Sequence, residues 1–196
     1  MGNLVLTVDR MGFPVRWVTP QTAVGHYALN EVLWELGAPM ARFRSGVSRI
    51  TGHQTVIEPA AIIGIDGQAV GRMPETAPSM GSKNRGMLFA RDRHLCAYCG
   101  RAFESEDLSK DHVKPLSRGG QDIWMNVVTS CKPCNHRKAD KHPHEAGMAL
   151  LYLPYVPTRY EGLILRNRKI VADQMEFLMA RVPKTSRLWM EPPERA

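Results

Sequence analysis

Residues 96–138, CAYCGRAFESEDLSKDHVKPLSRGGQDIWMNVVTSCKPCNHRK, decide how this chain is read. The stretch holds all four cysteines as two Cys-x-x-Cys pairs, Cys96/Cys99 and Cys131/Cys134. Two such pairs supply four thiolates, the tetrahedral set that structural zinc prefers. Redox or disulfide use is the alternative, and it fits poorly with the reducing cytoplasm expected for this chain. The pairs are separated by 31 residues, so something more than a minimal ribbon is inserted between them. Gly100, directly after the second cysteine, permits the tight turn of a metal knuckle.

Within that insertion stands Asp111-His112. An imidazole can deprotonate water near neutral pH, and a carboxylate can hold a hard divalent ion. On a strand the two side chains point to opposite faces, but at a strand end they can converge. Alone, an Asp-His pair is most simply a surface pair.

The pattern around it is more specific. Cys-x-x-Cys, Asp-His-x-x-Pro, Ser-Arg-Gly-Gly, Trp-x-Asn-Val-Val and Cys-x-x-Cys-Asn-x-x-Lys follow one another over residues 84–144. In this the sequence resembles the HNH endonucleases, also called ββα-metal nucleases. The resemblance implies an α+β fold: a ββα core stapled by a four-cysteine zinc site. It implies that His112 is the general base, that Asp111 and Asn135 hold the catalytic metal, and that Asn126 holds the loop and orients His112. Lys138 lies three residues after Asn135, on the same helical face; phosphate contact and a solvated surface charge are both open for it. One carboxylate and one amide oxygen make a sparse site that suits Mg²⁺, with Mn²⁺ as a substitute. Zinc would be confined to structure. Asn135 stands where other forms of the motif end in His, and Ala139 offers no further ligand on the next turn.

Charge agrees with a nucleic-acid partner. The net charge is +7, and residues 83–142 hold twelve basic and seven acidic side chains, whereas residues 1–82 hold six of each. A basic stretch favours polyanions, although a solvated surface gives the same count. Lys114, Arg118, Arg137 and Lys138 are the expected contacts to nucleic acid, and DNA, double-stranded, is the expected partner. Tyr98 and Trp124 could stack on bases, but core positions are the simpler reading.

Three segments are expected: a small mixed α/β accessory segment at 1–82 ending in a linker, the nuclease domain at 83–145, and a partly helical C-terminal extension at 146–196. In the first, Leu4–Val8 and Pro14–Val18 read as strands. That strand and the Pro-Val-x-Trp-Val segment loosely resemble the lead-in of some bacterial HNH proteins. Thr19-Pro20 reads as a helix start, with Leu29, Val32, Leu33 and Leu36 on one face and Gly37 as the stop. Residues 55–70 read as extended with a turn at Asp66-Gly67, and residues 71–83 as the linker. A short basic helix is expected over 84–93, and two strands around an acidic turn over 101–113, the second ending at Asp111-His112. A loop turning at Gly119-Gly120 follows, then a helix from Lys132 through Lys138. A further helix is expected over 164–181.

No run of about 18 apolar residues, as a membrane span requires, is present, and the first residues do not read as a secretory leader. The expected activity is metal-dependent hydrolysis of DNA phosphodiester bonds. A zinc-stapled binding module without catalysis, or a subunit of a larger DNA-processing machine, remains open, as does a homodimer or a partner protein bound through the N-terminal segment.

Overall fold

The computed structural model describes residues 3–47, 49, 52–66, 84–167 and 169–190. The expected linker at 71–83 lies outside the described residues, as does Gly67 of the expected turn. The chain divides into two compact units, one made of Met1–Glu75 with Asn167–Arg181, the other of Thr76–Arg166 with Val182–Ala196. Of the residues after 145, residues 167–181 fall in the first unit and the others in the second.

The first unit is built on a four-stranded sheet in the order Pro14–Val18 (β2), Val5–Val8 (β1), Ala60–Ile65 (β6) and Val32–Pro39 (β3). Strands β1 (Val5–Val8) and β2 (Pro14–Val18) pair antiparallel, and β1 pairs parallel with β6 (Ala60–Ile65). β1 is buried along its whole length, as a strand covered on both faces must be. Helix α1 (Pro20–Ala28) starts where the sequence implies, with Thr19 Oγ1 accepting from Thr22 N. It does not continue through Leu36. Asn30 adopts a left-handed φ of 56°, and Val32–Pro39 form β3, antiparallel to β6. The face expected to be buried in a longer helix is instead open, with Leu29, Leu33 and Leu36 exposed. Tertiary pairing with the apolar β6 overrides the helical spacing. Strands β4 (Phe43–Val47) and β5 (Gln54–Ile57) form a separate two-stranded ribbon.

The expected helix over 164–181 is two helices. α4 (Arg159–Arg166) belongs to the second unit and α5 (Ala172–Met179) to the first. Between them Asn167 Oδ1 accepts from Lys169 N, and Val171 is extended. Such local side-chain bonds to the backbone compete with helix continuation. Gln174 of α5 donates to the carbonyls of Leu4 and Ala61, which fastens α5 to the sheet of its own unit.

In the second unit, α2 (Arg85–Arg91) is the expected short basic helix. Of the two strands expected over 101–113, only the second forms, as β7 (Leu108–His112); the first is reduced to a Leu95–Ala102 bridge. The partner of β7 is β8 (Val127–Cys131), on the far side of the long loop, in a register that sets His112 against Val127 and Leu108 against Cys131. Helix α3 (Lys132–Lys138) follows at once. Met87, Leu88, Phe89, Leu108, Trp124, Val127 and Leu165 form the core. Trp124 is therefore a core residue and does not stack on bases. Among the described residues, no helix is long and apolar enough to cross a membrane.

Arg91 does not behave as a surface base. Its side chain is wholly buried beside Asp92. Nε and Nη2 donate to the two Asp92 oxygens, Nη1 to the carbonyls of Trp124 and Tyr155, and Nη2 also to Val127 O. These five bonds use all five guanidinium donors. Asp92 Oδ2 in turn accepts from Thr129 N at 2.9 Å. Replacing one member of a buried pair leaves the other uncompensated. Arg91→Ala is expected to lower the unfolding free energy by about 3–5 kcal/mol, read from urea titration. A loss under about 1 kcal/mol, the scale of an exposed pair, would contradict the role assigned here.

Candidate nuclease site and cysteine cluster

The four sulfurs lie within 4.8 Å of one another. Tetrahedral zinc, with Zn–S near 2.3 Å, sets its thiolates roughly 3.8 Å apart, so a small closure seats one ion. All four thiols are free, which leaves the disulfide reading without support. Cys96 and Cys99 come from the knuckle after α2, where Gly100 turns at φ 73° and donates to Cys96 O. Cys131 ends β8, and Cys134 lies in the first turn of α3.

Electrostatics favour a cation here. At Cys96 burial opposes ionisation, but hydrogen bonds from the backbone of Cys131, Cys99 and Tyr98 outweigh it and bring the thiol down to about 7. At Cys134 burial, the Cys131 thiol and the Cys96 charge all push the thiol upward. One thiolate is thus favoured, and the thiols of Cys131 and Cys134 resist ionisation. A divalent cation relieves that conflict by offsetting the four charges together. The cluster is compatible with zinc, and among the described residues it is the one group of cysteine, histidine and acidic ligands so gathered.

About the end of β7 opens a cleft of about 320 Å³, lined by Lys110, Asp111, His112, Ser117, Asn135 and Lys138 among others. Asp111 is buried and both its oxygens are engaged: Oδ1 accepts from Lys138 Nζ at 2.9 Å, and Oδ2 accepts a short hydrogen bond from the Tyr98 hydroxyl. Burial and the Asp111 carboxylate push the Tyr98 hydroxyl far up, so it stays a donor. Tyr98, half-buried, is therefore a partner of Asp111 rather than a plain core residue. Asn135 Nδ2 donates to Ser109 Oγ at 2.9 Å. That assigns the amide and leaves Oδ1 as an acceptor.

Lys138 departs from both surface readings. Its side chain is 1% exposed, and Nζ also donates to His112 O at 2.8 Å. It is an internal counter-ion that ties α3 to the end of β7, rather than a phosphate contact at the surface. Lys114 and Arg137 are exposed. Arg118 is exposed as well but forms a two-point ion pair with Glu145, at 2.8 and 2.7 Å.

The loop between the strands is held by Asn126. Its Oδ1 accepts from Lys114 N, and its Nδ2 donates to Lys114 O and Gln121 O, while Val113 N donates to Asn126 O. The Gly119-Gly120 turn has two reasons. Gly119 adopts φ 76°, and a Cβ on Gly120 would stand 2.0 Å from Lys114 O. The close packing that Asn126 clamps thus excludes any side chain at 120.

Asp122 had no signal in the sequence. Its Oδ1 lies 3.0 Å from His112 Nε2, and Lys110 Nζ donates to both its oxygens, at 2.6 and 2.7 Å. Its slight burial acts to raise the carboxyl, but the bonds from Lys110 and His112 hold it below the usual carboxylate range. An ionised carboxylate only accepts hydrogen bonds. Nε2 therefore carries the proton, and in the neutral ring the lone pair lies on Nδ1.

Residues 96–151 match the sequence model of a family described as HNH endonuclease. No curated protein matches the chain. The matched segment spans both cysteine pairs, Asp111, His112, Asn126 and Asn135, and the resemblance read from the motifs is borne out there. It points in general terms to a nuclease acting on nucleic acid with a divalent metal. The buried pair gives a direct check on this geometry. Lys138→Met would strand the Asp111 carboxylate, at an expected cost of about 3–5 kcal/mol in urea unfolding. A variant as stable as wild type would show that Lys138 is not Asp111's counter-ion.

Proposed function

We propose that this protein is a metal-dependent endonuclease that hydrolyses phosphodiester bonds in double-stranded DNA. The observation that carries the reading is the convergence of Asp111, His112 and Asn135 on one cleft within the matched segment. A binding module needs no such group.

The donors fit a hard divalent ion. Asp111 keeps a lone pair on each oxygen beyond those given to Tyr98 and Lys138, and Asn135 Oδ1 is an acceptor, so two oxygen ligands border the cleft. Mg²⁺ or Mn²⁺, which keeps several waters, suits so sparse a set. When bound, the ion supplies charge neutralisation at the scissile phosphate. His112 takes the proton from the attacking water at Nδ1. Asp122 holds the ring through Nε2 and favours the imidazolium that forms, with Lys110 keeping Asp122 ionised. Asn126 positions the loop that follows His112. Lys114, Arg118 and Arg137 contact backbone phosphates, which gives affinity without sequence choice; Arg118 exchanges Glu145 for phosphate to do so. Zinc at the four cysteines has no open position and does no chemistry. Four free thiols so placed suit a reducing compartment such as the cytoplasm.

Supercoiled plasmid incubated with the purified protein and Mg²⁺ is expected to be nicked or linearised. His112→Ala should slow cutting by about 10²–10⁴-fold, and omission of the divalent ion should abolish it. Metal analysis is expected to find about one zinc per chain. Cutting by His112→Ala at the wild-type rate would refute the mechanism, and DNA binding without any cutting would favour the non-catalytic module.

A further inference from the structure

We infer that Tyr98 is a positioning residue through which the four-cysteine cluster sets the orientation of Asp111; this rests on the nuclease reading above. Asp111 is held at both oxygens, and each holder is delivered by one cysteine pair. Tyr98, which donates to Oδ2, lies in the knuckle between Cys96 and Cys99. Lys138, which donates to Oδ1, lies one turn after Cys134 on α3. Fixing both oxygens stops the carboxylate from rotating. The knuckle backbone is pinned on one side by Ala97 N donating to Thr129 O and by Cys96 N donating to Arg101 O. On the other side Gly100 N closes the turn onto Cys96 O, and the Cys99 side chain is exposed, facing the other three sulfurs. The placement of the Tyr98 hydroxyl therefore depends on the sulfurs being drawn together. Partners that hydrogen-bond a ligating carboxylate fix its geometry, and their loss typically weakens metal binding by about 10–100-fold. The ion at the cysteines, chemically inert itself, acts in this way on the affinity of the second metal site.

The test is Mn²⁺ binding to the full chain without DNA, followed by electron paramagnetic resonance of free Mn²⁺, with zinc content measured in parallel. Tyr98→Phe fills the same space and removes the donor. It is expected to keep one zinc per chain and to bind Mn²⁺ about 10-fold more weakly or worse, with plasmid cutting restored by raised Mn²⁺. Cys99→Ser, if folded by circular dichroism, should show the same loss. Wild-type Mn²⁺ affinity in either variant, while Asp111→Asn lowers it, would overturn the inference and leave the nuclease reading intact. If Asp111→Asn binds Mn²⁺ as wild type does, the metal assignment itself fails, and the inference with it.

A separate observation concerns the β4–β5 ribbon. Three of the six basic residues in 1–82 fall within positions 42–49, and no acidic residue stands between Glu35 and Glu58. Arg42, Arg44 and Arg49 are exposed, and among the described residues the one ion pair they make is Arg42 with Glu58, at 3.4 Å. Among the described residues the ribbon pairs with no other strand. We propose that it contacts duplex nucleic acid through these arginines, since the major groove admits a two-stranded ribbon. Binding of a short fluorescein-labelled duplex, without added divalent ions, is measured against salt. Arg44→Ala/Arg49→Ala is expected to lower the slope of log K on log salt by about two, and Arg44→Lys/Arg49→Lys to keep it. An unchanged slope in the alanine variant would overturn the proposal, whether or not the protein still cuts plasmid. So would ribbon-dependent capture by an acidic protein surface in place of the duplex.

Discussion

The buried Arg91–Asp92 pair is the constraint on which the nuclease-like unit depends. A guanidinium removed from water must have its donors met, and here the five are met by four parts of the unit: its own neighbour, the Trp124 turn, β8 and the segment at Tyr155. Satisfying one side chain therefore fixes α2, the end of the loop and the second strand together. Asp92 extends the arrangement to Thr129 N and to Arg187, at 3.0 Å. An apolar residue of like size could fill the space, but it would not specify which carbonyls approach. The aromatic rings of Trp124 and Tyr155, each 5.4 Å from the guanidinium carbon, complete the enclosure.

On that frame two charged centres are set back to back. The cysteine cluster draws the knuckle to the β8–α3 junction, and Asp111 lies one strand away. Lys138 and Tyr98 join the centres: one brings positive charge to a buried carboxylate, the other a neutral donor. The cleft side differs in kind. His112, Asp122 and Lys110 form a partly exposed chain of contacts in which the lysine holds the aspartate ionised and the aspartate holds the imidazole tautomer. Buried polar groups thus set geometry around Asp111, and a more exposed group of charges stands beside His112.

Much of the site was legible in the sequence because its signals are local. The cysteine spacing needs no tertiary information, and the helix after Cys131 follows from proline in its first turn. Gly119-Gly120 marked a turn correctly, although only the structure reveals that Lys114 O excludes a side chain at 120. Elements defined by pairing were not legible. Leu29 to Leu36 have a helical period, yet from Val32 the chain forms a strand beside β6, and the partner strand of β7, Val127–Cys131, was missed because the run gave no sign of its partner across the loop. Lys138 was open as a phosphate contact or a solvated surface charge, and it is buried, as is Arg91 in the short basic helix. Asp122 carried no signal, because its meaning lies in the fold of the loop that brings it to His112.

The sequence by itself determined the chemistry available: four thiolates at metal-binding spacing, an Asp-His pair between them, an asparagine on the helix that follows, and a basic segment around all of them. These are properties of residue type and short spacing, which survive any arrangement of the rest. Only the tertiary structure decided which charges are internal, which donors hold Asp111, and that the C-terminal helices serve two different units. Burial and hydrogen-bond partnership depend on residues distant in sequence, and a lysine is read as solvated until its carboxylate has been found.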